Sequence, residues 1–218
     1  FERDKPFLSS KNQFYSLKWS YDLVVHNTVI IDLKKSIDEI WNNFSKYHRK
    51  NIKRSSKNKV EFSCISHQTE KKIINQKFDN FKKAHFISAG RKTRLDSSWE
   101  TMKKMLIEKE GVLFILKYKN KDISFLYCGT YKNFSWGWSQ VNNQTYEKEL
   151  MPRHLLEWEA IKYLKKNKFN FYDVGQTFYS LGNESPSKKE SSISDFKEKY
   201  NGLNYPRAYF FSNLKQKK

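Results

Sequence analysis

The chain predicts an α+β fold: one mixed sheet with helices on both faces. Segments with strand and helix character follow one another from Thr28 to Phe211. Three β-rich runs between Val112 and Gln140 are separated only by short turns, which implies an antiparallel meander. Aromatic residues make up 17% of the 218 residues, enough to bury a large apolar surface and to exclude disorder over most of the length.

Residues 1 to 27 mix Phe7, Phe14, Tyr15, Trp19 and Tyr21 with polar residues and show no clear period. They read as an N-terminal arm or the remnant of an upstream domain. Thr28–Leu33 is a β-branched apolar run and reads as a strand. Ser36 and Glu39 form a capping box, and Ile37, Ile40, Trp41, Phe44 and Tyr47 follow at helical spacing. The second half of this helix, His48 to Lys59, is strongly basic. Val60–Ile65 reads as the next strand, and Gln68–Phe86 as a helix with Ile74, Phe78, Phe81 and His85 along one face.

Ser88 to Asp96 is a basic loop holding Arg91 and Arg94. Ser97 or Ser98 caps the short helix that follows, and Gly111 stops it. The meander strands are Val112–Tyr118, Ile123–Thr130 and Phe134–Gln140. A helix then runs from Pro152 to about Lys166, with proline in the first turn, where its missing N–H costs nothing. Phe169–Val174 is a strand stopped by Gly175. After a polar loop with Gly182 and Pro186, a short helix starts near Ser192 or Ser194. Tyr205–Phe211 closes the fold, and residues 212 to 218 are a basic tail.

Net charge is +19, with 42 Lys+Arg against 23 Asp+Glu. A field of this sign steers anionic partners: RNA, nucleotide-linked substrates, phosphate-bearing cofactors or anionic lipids. Most of the excess is lysine, which a solvated face also explains, so the arginines are more informative. No run of about 18 apolar residues marks a transmembrane helix. Cys64 and Cys128 lie far apart in strand-like runs and read as buried free thiols. No closely spaced Cys/His set suggests a metal site, and no Ser/His/Asp or Cys/His pattern suggests a covalent nucleophile.

Two runs near the C-terminus, Pro186-Ser187-Lys188-Lys189-Glu190 and Ile193-Ser194-Asp195-Phe196-Lys197, resemble the C-terminal signature of FemAB-like proteins. Upstream, Ala89-Gly90-Arg91-Lys92-Thr93-Arg94 followed by Ser98-Trp99 is similar to the AGR-x-TR…TW segment of a FemAB-like branch associated with bacterial surface-glycan genes. Arg49-Lys50-Asn51-Ile52-Lys53, Pro152 with His154, and Tyr172-Asp173-Val174-Gly175 also fit, so the likeness spans residues 28 to 211. FemAB-like proteins are GNAT-fold acyl- and aminoacyltransferases. The resemblance therefore implies a GNAT-like domain over 28–211 and transfer of an acyl or aminoacyl group to an amine of a cell-envelope or surface-glycan precursor. It implies bacterial, cytoplasmic work, with possible peripheral contact with an anionic membrane.

Acyl transfer needs a held donor, a stabilised oxyanion and an acceptor for the amine proton. The donor is acyl-CoA, an acyl carrier or aminoacyl-tRNA, all phosphate-bearing, with no metal. Many GNAT enzymes hold the CoA pyrophosphate on a Gly-rich loop before a helix. The matching stretch here, Gln140 to Met151, has no glycine, but Arg153 stands beside the free N–H groups of the Pro152 helix. Arg153 is therefore the cofactor-binding candidate. Arg91 and Arg94 suit a phosphate or carboxylate on a small-molecule or lipid-linked substrate. Phe196, Lys189 and Tyr172 are further substrate-binding candidates within the resembling segments. Lys197 is expected to stabilise transition-state charge, and Asp173 or His154 to take the proton. Lys197, Arg91 and Arg94 are expected in one pocket near the end of the Asp173 strand. The alternative is a non-catalytic basic protein of the same fold that binds RNA or an anionic surface.

Overall fold

The computed structural model describes residues 21 to 179 and 185 to 212. The arm up to residue 20, Gly182 and the tail from Lys215 lie outside the described residues. Seven strands form one sheet: β1 (Tyr21–Asp32), β2 (Val60–Ile65), β3 (Gly111–Tyr118), β4 (Lys121–Tyr131), β5 (Phe134–Asn142), β6 (Phe171–Thr177) and β7 (Leu203–Ser212). The helices are α1 (Ile37–Asn43), α2 (Lys46–Ser56), α3 (Lys71–Ala89), α4 (Asp96–Ile107), α5 (Gln144–Leu150), α6 (Pro152–Lys166) and α7 (Lys188–Glu198). The strand order is β2-β3-β4-β5-β6-β1-β7, antiparallel throughout except for the parallel pair β5–β6. The expected meander is β3-β4-β5, and β6 shares its sheet.

Alternation along the strands sends two sets of side chains to two cores. Leu113, Ile115, Phe125, Tyr127 and Val141 meet Phe78 and Phe81 of α3 and Trp99, Met102 and Leu106 of α4. Val112, Phe114, Leu116, Leu126, Cys128, Tyr172 and Val174 meet the other face, built from α1, α2, α5, α6 and Tyr200.

Several boundaries differ from the expected ones, each for a local reason. β1 starts at Tyr21 and pairs with β7 from there, so the sheet takes in residues assigned to the arm. The long basic helix is two helices. Phe44 takes an extended conformation (φ −60°, ψ 142°) and fills the core, and Ser45 caps α2 by accepting from the His48 N–H at 3.2 Å. α4 begins at Asp96, ahead of Ser97 and Ser98, and Gly111 opens β3 instead of ending a helix. α5, not expected, is capped by Asn143 and joins α6 through Met151 in the left-handed region. β6 runs past Gly175 to Thr177. α7 begins at Lys188 through a Ser187–Glu190 capping box, which places Lys197 in its last turn. Among the described residues no helix is long and apolar enough to cross a membrane.

Candidate active site

β5 and β6 pair only at Phe134↔Phe171, Ser135↔Tyr172 and Trp136↔Asp173. Beyond that point β5 continues to Asn142 and β6 to Thr177, and the two strands part. Glycines stand on both sides of the opening. A Cβ on Gly137 would lie 2.8 Å from the Tyr172 hydroxyl. Gly175 has φ +105°, and a Cβ there would lie 2.8 Å from Lys197 Nζ and 3.5 Å from the Gly137 carbonyl oxygen. Any side chain at Gly175 would therefore both strain the backbone and displace the lysine.

Lys197 reaches this point from α7 and donates to the Gln176 carbonyl at 2.7 Å. Burial lowers its pKa, while the carboxylates of Asp173 and Glu157 act against that and Arg153 acts with it. Glu157, on α6, is 3% exposed and accepts from the Tyr172 hydroxyl at 2.7 Å. Burial pushes its pKa up to about 7. Tyr172 is fully buried, with its pKa raised by burial, so it forms part of the wall and does not reach solvent.

α2, α6 and α7 bring two histidines together on the same face. His48 Nε2 donates to the Phe196 carbonyl at 2.9 Å, and Asn51 Nδ2 donates to His154 Nε2 at 3.3 Å. The rings lie 4.7 Å apart, and Phe196 packs against both. Burial lowers the pKa of His48 to about 4; burial, then His48, Arg153 and Lys199, lowers that of His154 to about 3. Both rings are neutral near pH 7, so His154 is a weak proton acceptor as it stands.

A pocket of about 220 Å³ opens beside this cluster, lined by Glu147, Arg153, His154, Phe196 and Lys199 among others. The Arg153 guanidinium lies over the Phe196 ring at 4.8 Å and Lys199 over the Tyr47 ring at 4.9 Å. Glu147 Oε2, Arg153 Nε and His154 Nδ1 are buried without a hydrogen-bond partner.

Asp173 follows Tyr172 on β6 and faces the opposite way from it, although its charge still reaches Lys197. It is 1% exposed; its Oδ1 accepts from Thr28 Oγ1 and the Gly175 N–H, and its Oδ2 from Arg207 Nη2 at 2.6 Å. Three donors leave it a structural anchor more than a free base. Arg94 is also on that side, donating to Ser139 of β5 at 3.1 Å and lying 5.6 Å from the Trp99 ring. Arg91 and Lys189 are exposed. The single pocket expected for Lys197, Arg91 and Arg94 is not formed. Strand alternation puts Ser139 on the α3/α4 side with Tyr127, whereas α7 lies on the side of Tyr172.

Glu157, Glu147, His48 and Tyr200 were not among the expected site residues. Glu157 could have been found, because it interrupts a helix face otherwise made of Leu156, Ala160, Ile161 and Leu164. Glu147 sits on a helix that the sequence did not signal. Among the described residues no group of His, Cys, Asp and Glu could hold a metal ion.

No protein-family model matches the chain, and no curated protein does. Solved structures do. FemX superposes with a TM-score of 0.65 at 14% identity, over 85% of this chain and 61% of that one. L-PGS from Bacillus licheniformis gives 0.62 at 12%, over 93% and 66%. An aminoglycoside acetyltransferase from an uncultured soil metagenomic sample, in complex with sisomicin, gives 0.51 at 12%, over 72% and 97%. The fold is GNAT-like. At these identities the likeness speaks for the fold alone, and this chain spans less than two thirds of the length of FemX and of L-PGS.

Proposed function

We propose that the protein is an N-acyl- or aminoacyltransferase of FemAB-like type, acting on an amine of a cell-envelope or surface-glycan precursor. The observation that carries this is the Lys197 amino group seated where β5 and β6 part, beside backbone that only glycine permits. A donor carbonyl placed in the opening gains a charged hydrogen bond from Lys197 as its oxygen becomes an oxyanion. The likeness to FemX and to L-PGS supports the reading.

The amine must lose a proton as the C–N bond forms. Asp173 already accepts from three donors, and His154 is held neutral with a low pKa. Glu157, near 7, is better matched. It accepts from the Tyr172 hydroxyl, which lies against Gly137 at the wall of the opening. The donor is acyl-CoA, an acyl carrier or aminoacyl-tRNA. The exposed cations Lys46, Lys50, Lys53 and Arg54 of α2 and Lys57 just after it, together with Arg91 and Lys189, are available to its phosphates or to those of a nucleotide- or lipid-linked acceptor.

The test offers acyl-CoA and aminoacyl-tRNA in parallel with amine acceptors and follows the products by mass spectrometry. Transfer that is lost in Lys197→Met supports the reading. Salt-dependent RNA or anionic-vesicle binding with no transfer from any donor favours the non-catalytic alternative, which the same exposed face of α2 would serve.

A further inference from the structure

The break between α1 and α2 grips the end of the helix that carries Lys197. Phe196 is in the last turn of α7, so its carbonyl is one of those that a helix leaves without an internal donor. His48 of α2 supplies the donor through Nε2 at 2.9 Å. The Ser45 N–H donates to the Lys199 carbonyl at 2.9 Å, and Asn201 Nδ2 donates to the Asn43 carbonyl at 2.7 Å. A continuous helix through Phe44 and Ser45 would use the Ser45 N–H internally. Because Ser45 caps α2 instead, that N–H meets the chain leaving α7, and the positive end of one helix faces the negative end of the other.

His48 is fully buried, and its ring packs on Phe196 at 4.9 Å and on Tyr200 at 4.2 Å. A carbonyl only accepts, so Nε2 carries the proton. In the neutral ring Nδ1 is then bare, and it is the ring atom without a partner. The second anchor of α7 is at its middle, where Ser194 Oγ accepts from the Phe178 N–H at 2.7 Å and donates to the Phe178 carbonyl at 3.1 Å. Lys197 springs from the next turn, the one held by His48 and Ser45. Its amino group then seats on the Gln176 carbonyl. A charged group that serves a transition state must be held close to one place, since a misplacement of about 1 Å can cost on the order of 10²-fold in rate.

We infer that His48 is a positioning residue: its bond to the Phe196 carbonyl fixes the last turn of α7 and so aims Lys197 into the opening between β5 and β6. This rests on the transferase reading for its meaning, but not for its test. The test is brief acetylation of the folded chain with acetic anhydride, read lysine by lysine by mass spectrometry, in wild type, His48→Phe and His48→Gln. Phe keeps a ring and removes the donor, whereas Gln keeps a donor. Lys165 is the reference, because it is half-buried and bonded to the Leu33 and Lys35 carbonyls, outside the clamp. Circular dichroism checks the fold. The expected result is Lys197 labelling raised about fivefold or more relative to Lys165 in His48→Phe, and within about twofold of wild type in His48→Gln. No rise at Lys197 in folded His48→Phe, an equal rise at Lys165, or the same rise in His48→Gln overturns the inference. Where His48→Phe does not fold, nitrogen NMR of the wild-type ring decides: a proton on Nε2 supports the bond, and a proton on Nδ1 overturns it. A selective rise at Lys197 without transfer from any donor would leave the clamp standing and remove the transferase reading. Transfer that is lost in Lys197→Met but keeps its kcat in His48→Phe would do the reverse.

Discussion

The two faces of the sheet solve the same packing problem differently. On the α3/α4 side the polar groups that reach the core are paired. Tyr127 donates to the Met102 carbonyl at 2.8 Å, and Arg94 and His85 meet on Ser139. On the α6/α7 side His48 Nδ1, His154 Nδ1, Arg153 Nε, Glu147 Oε2 and the Tyr200 hydroxyl are all buried and unpartnered, whereas α3 and α4 contribute no such atom among the described residues. Leaving a buried donor or acceptor unmade costs about 1–3 kcal/mol. By that measure the α6/α7 face gives up stability that the α3/α4 face keeps.

The largest effect that tests this contrast is acid lability. Neutral buried histidines have folded pKa values below the unfolded 6.5, so their contribution is present above 6.5 and is lost as pH falls toward about 4 for His48 and about 3 for His154. His48 alone, moved from 6.5 to about 4, contributes roughly 3 kcal/mol. Glu157 works in the opposite sense. Its folded pKa is raised, so its contribution is present below the unfolded 4.5 and is lost as pH rises through about 7, offsetting roughly the same amount. His154 decides the sign for this face, and His85 on the α3/α4 face, its pKa also lowered by burial to about 4, adds one such loss there, so the net expectation is a loss of several kcal/mol between pH 6.5 and 4, read by urea unfolding at the two pH values. Unchanged or increased stability at pH 4 would mean that these rings are not buried neutral.

On the paired face, Phe81→Ala should cost about 3–5 kcal/mol in the same unfolding assay, because a fully buried ring packed on Phe78, Trp99, Phe125 and Tyr127 leaves a cavity. Turnover per folded molecule should not move. If it did, the two faces would be coupled and the contrast between them would fail.

The strands of the meander, the Pro152 helix and the mixed sheet were legible in the sequence because alternation and helical spacing report burial directly. The break at Phe44–Ser45 was not legible, since an apolar residue at helical spacing looks the same whether the helix continues or its end is capped. The site divided in the same way. Lys197, Phe196, His154 and Arg153 do gather on one side, but Arg94 and Asp173 lie on the other. Which side of a sheet a residue reaches depends on strand parity at the bulge between Tyr127 and Cys128, and that offset is set by pairing with another strand.

Lys197→Met comes next in size. Met keeps the apolar stem and removes the charge, so the chain should fold, at a cost of about 1–3 kcal/mol for the unpaired Gln176 carbonyl. Turnover should fall on the order of 10²-fold, the scale of one lost oxyanion donor. In wild type the pH–rate profile should break near 7 where Glu157 ionises, and Glu157→Gln should remove that break. Turnover of Lys197→Met within about twofold of wild type would take Lys197 out of the mechanism.

The smallest effect separates the two arginines of one motif. Arg94 is half-buried, donates to Ser139 and lies over Trp99; burial lowers its pKa. Arg91, three residues earlier, is exposed. Arg94→Ala removes a charged hydrogen bond and the stacking on Trp99, so it should destabilise the paired face by about 1–3 kcal/mol. Arg91→Ala is a surface change and should stay within about 0.5 kcal/mol in the same unfolding measurement. If Arg91 serves the fold, the two losses will be similar. If Arg91 instead meets a phosphate on the substrate, its loss will leave unfolding untouched and appear as weaker substrate binding by about 1.5–3 kcal/mol, reduced at high salt because an exposed pair is screened. Equal, negligible effects of both substitutions on unfolding and on binding would remove the motif from both faces and leave the opening at Lys197 as the part of the site to explain.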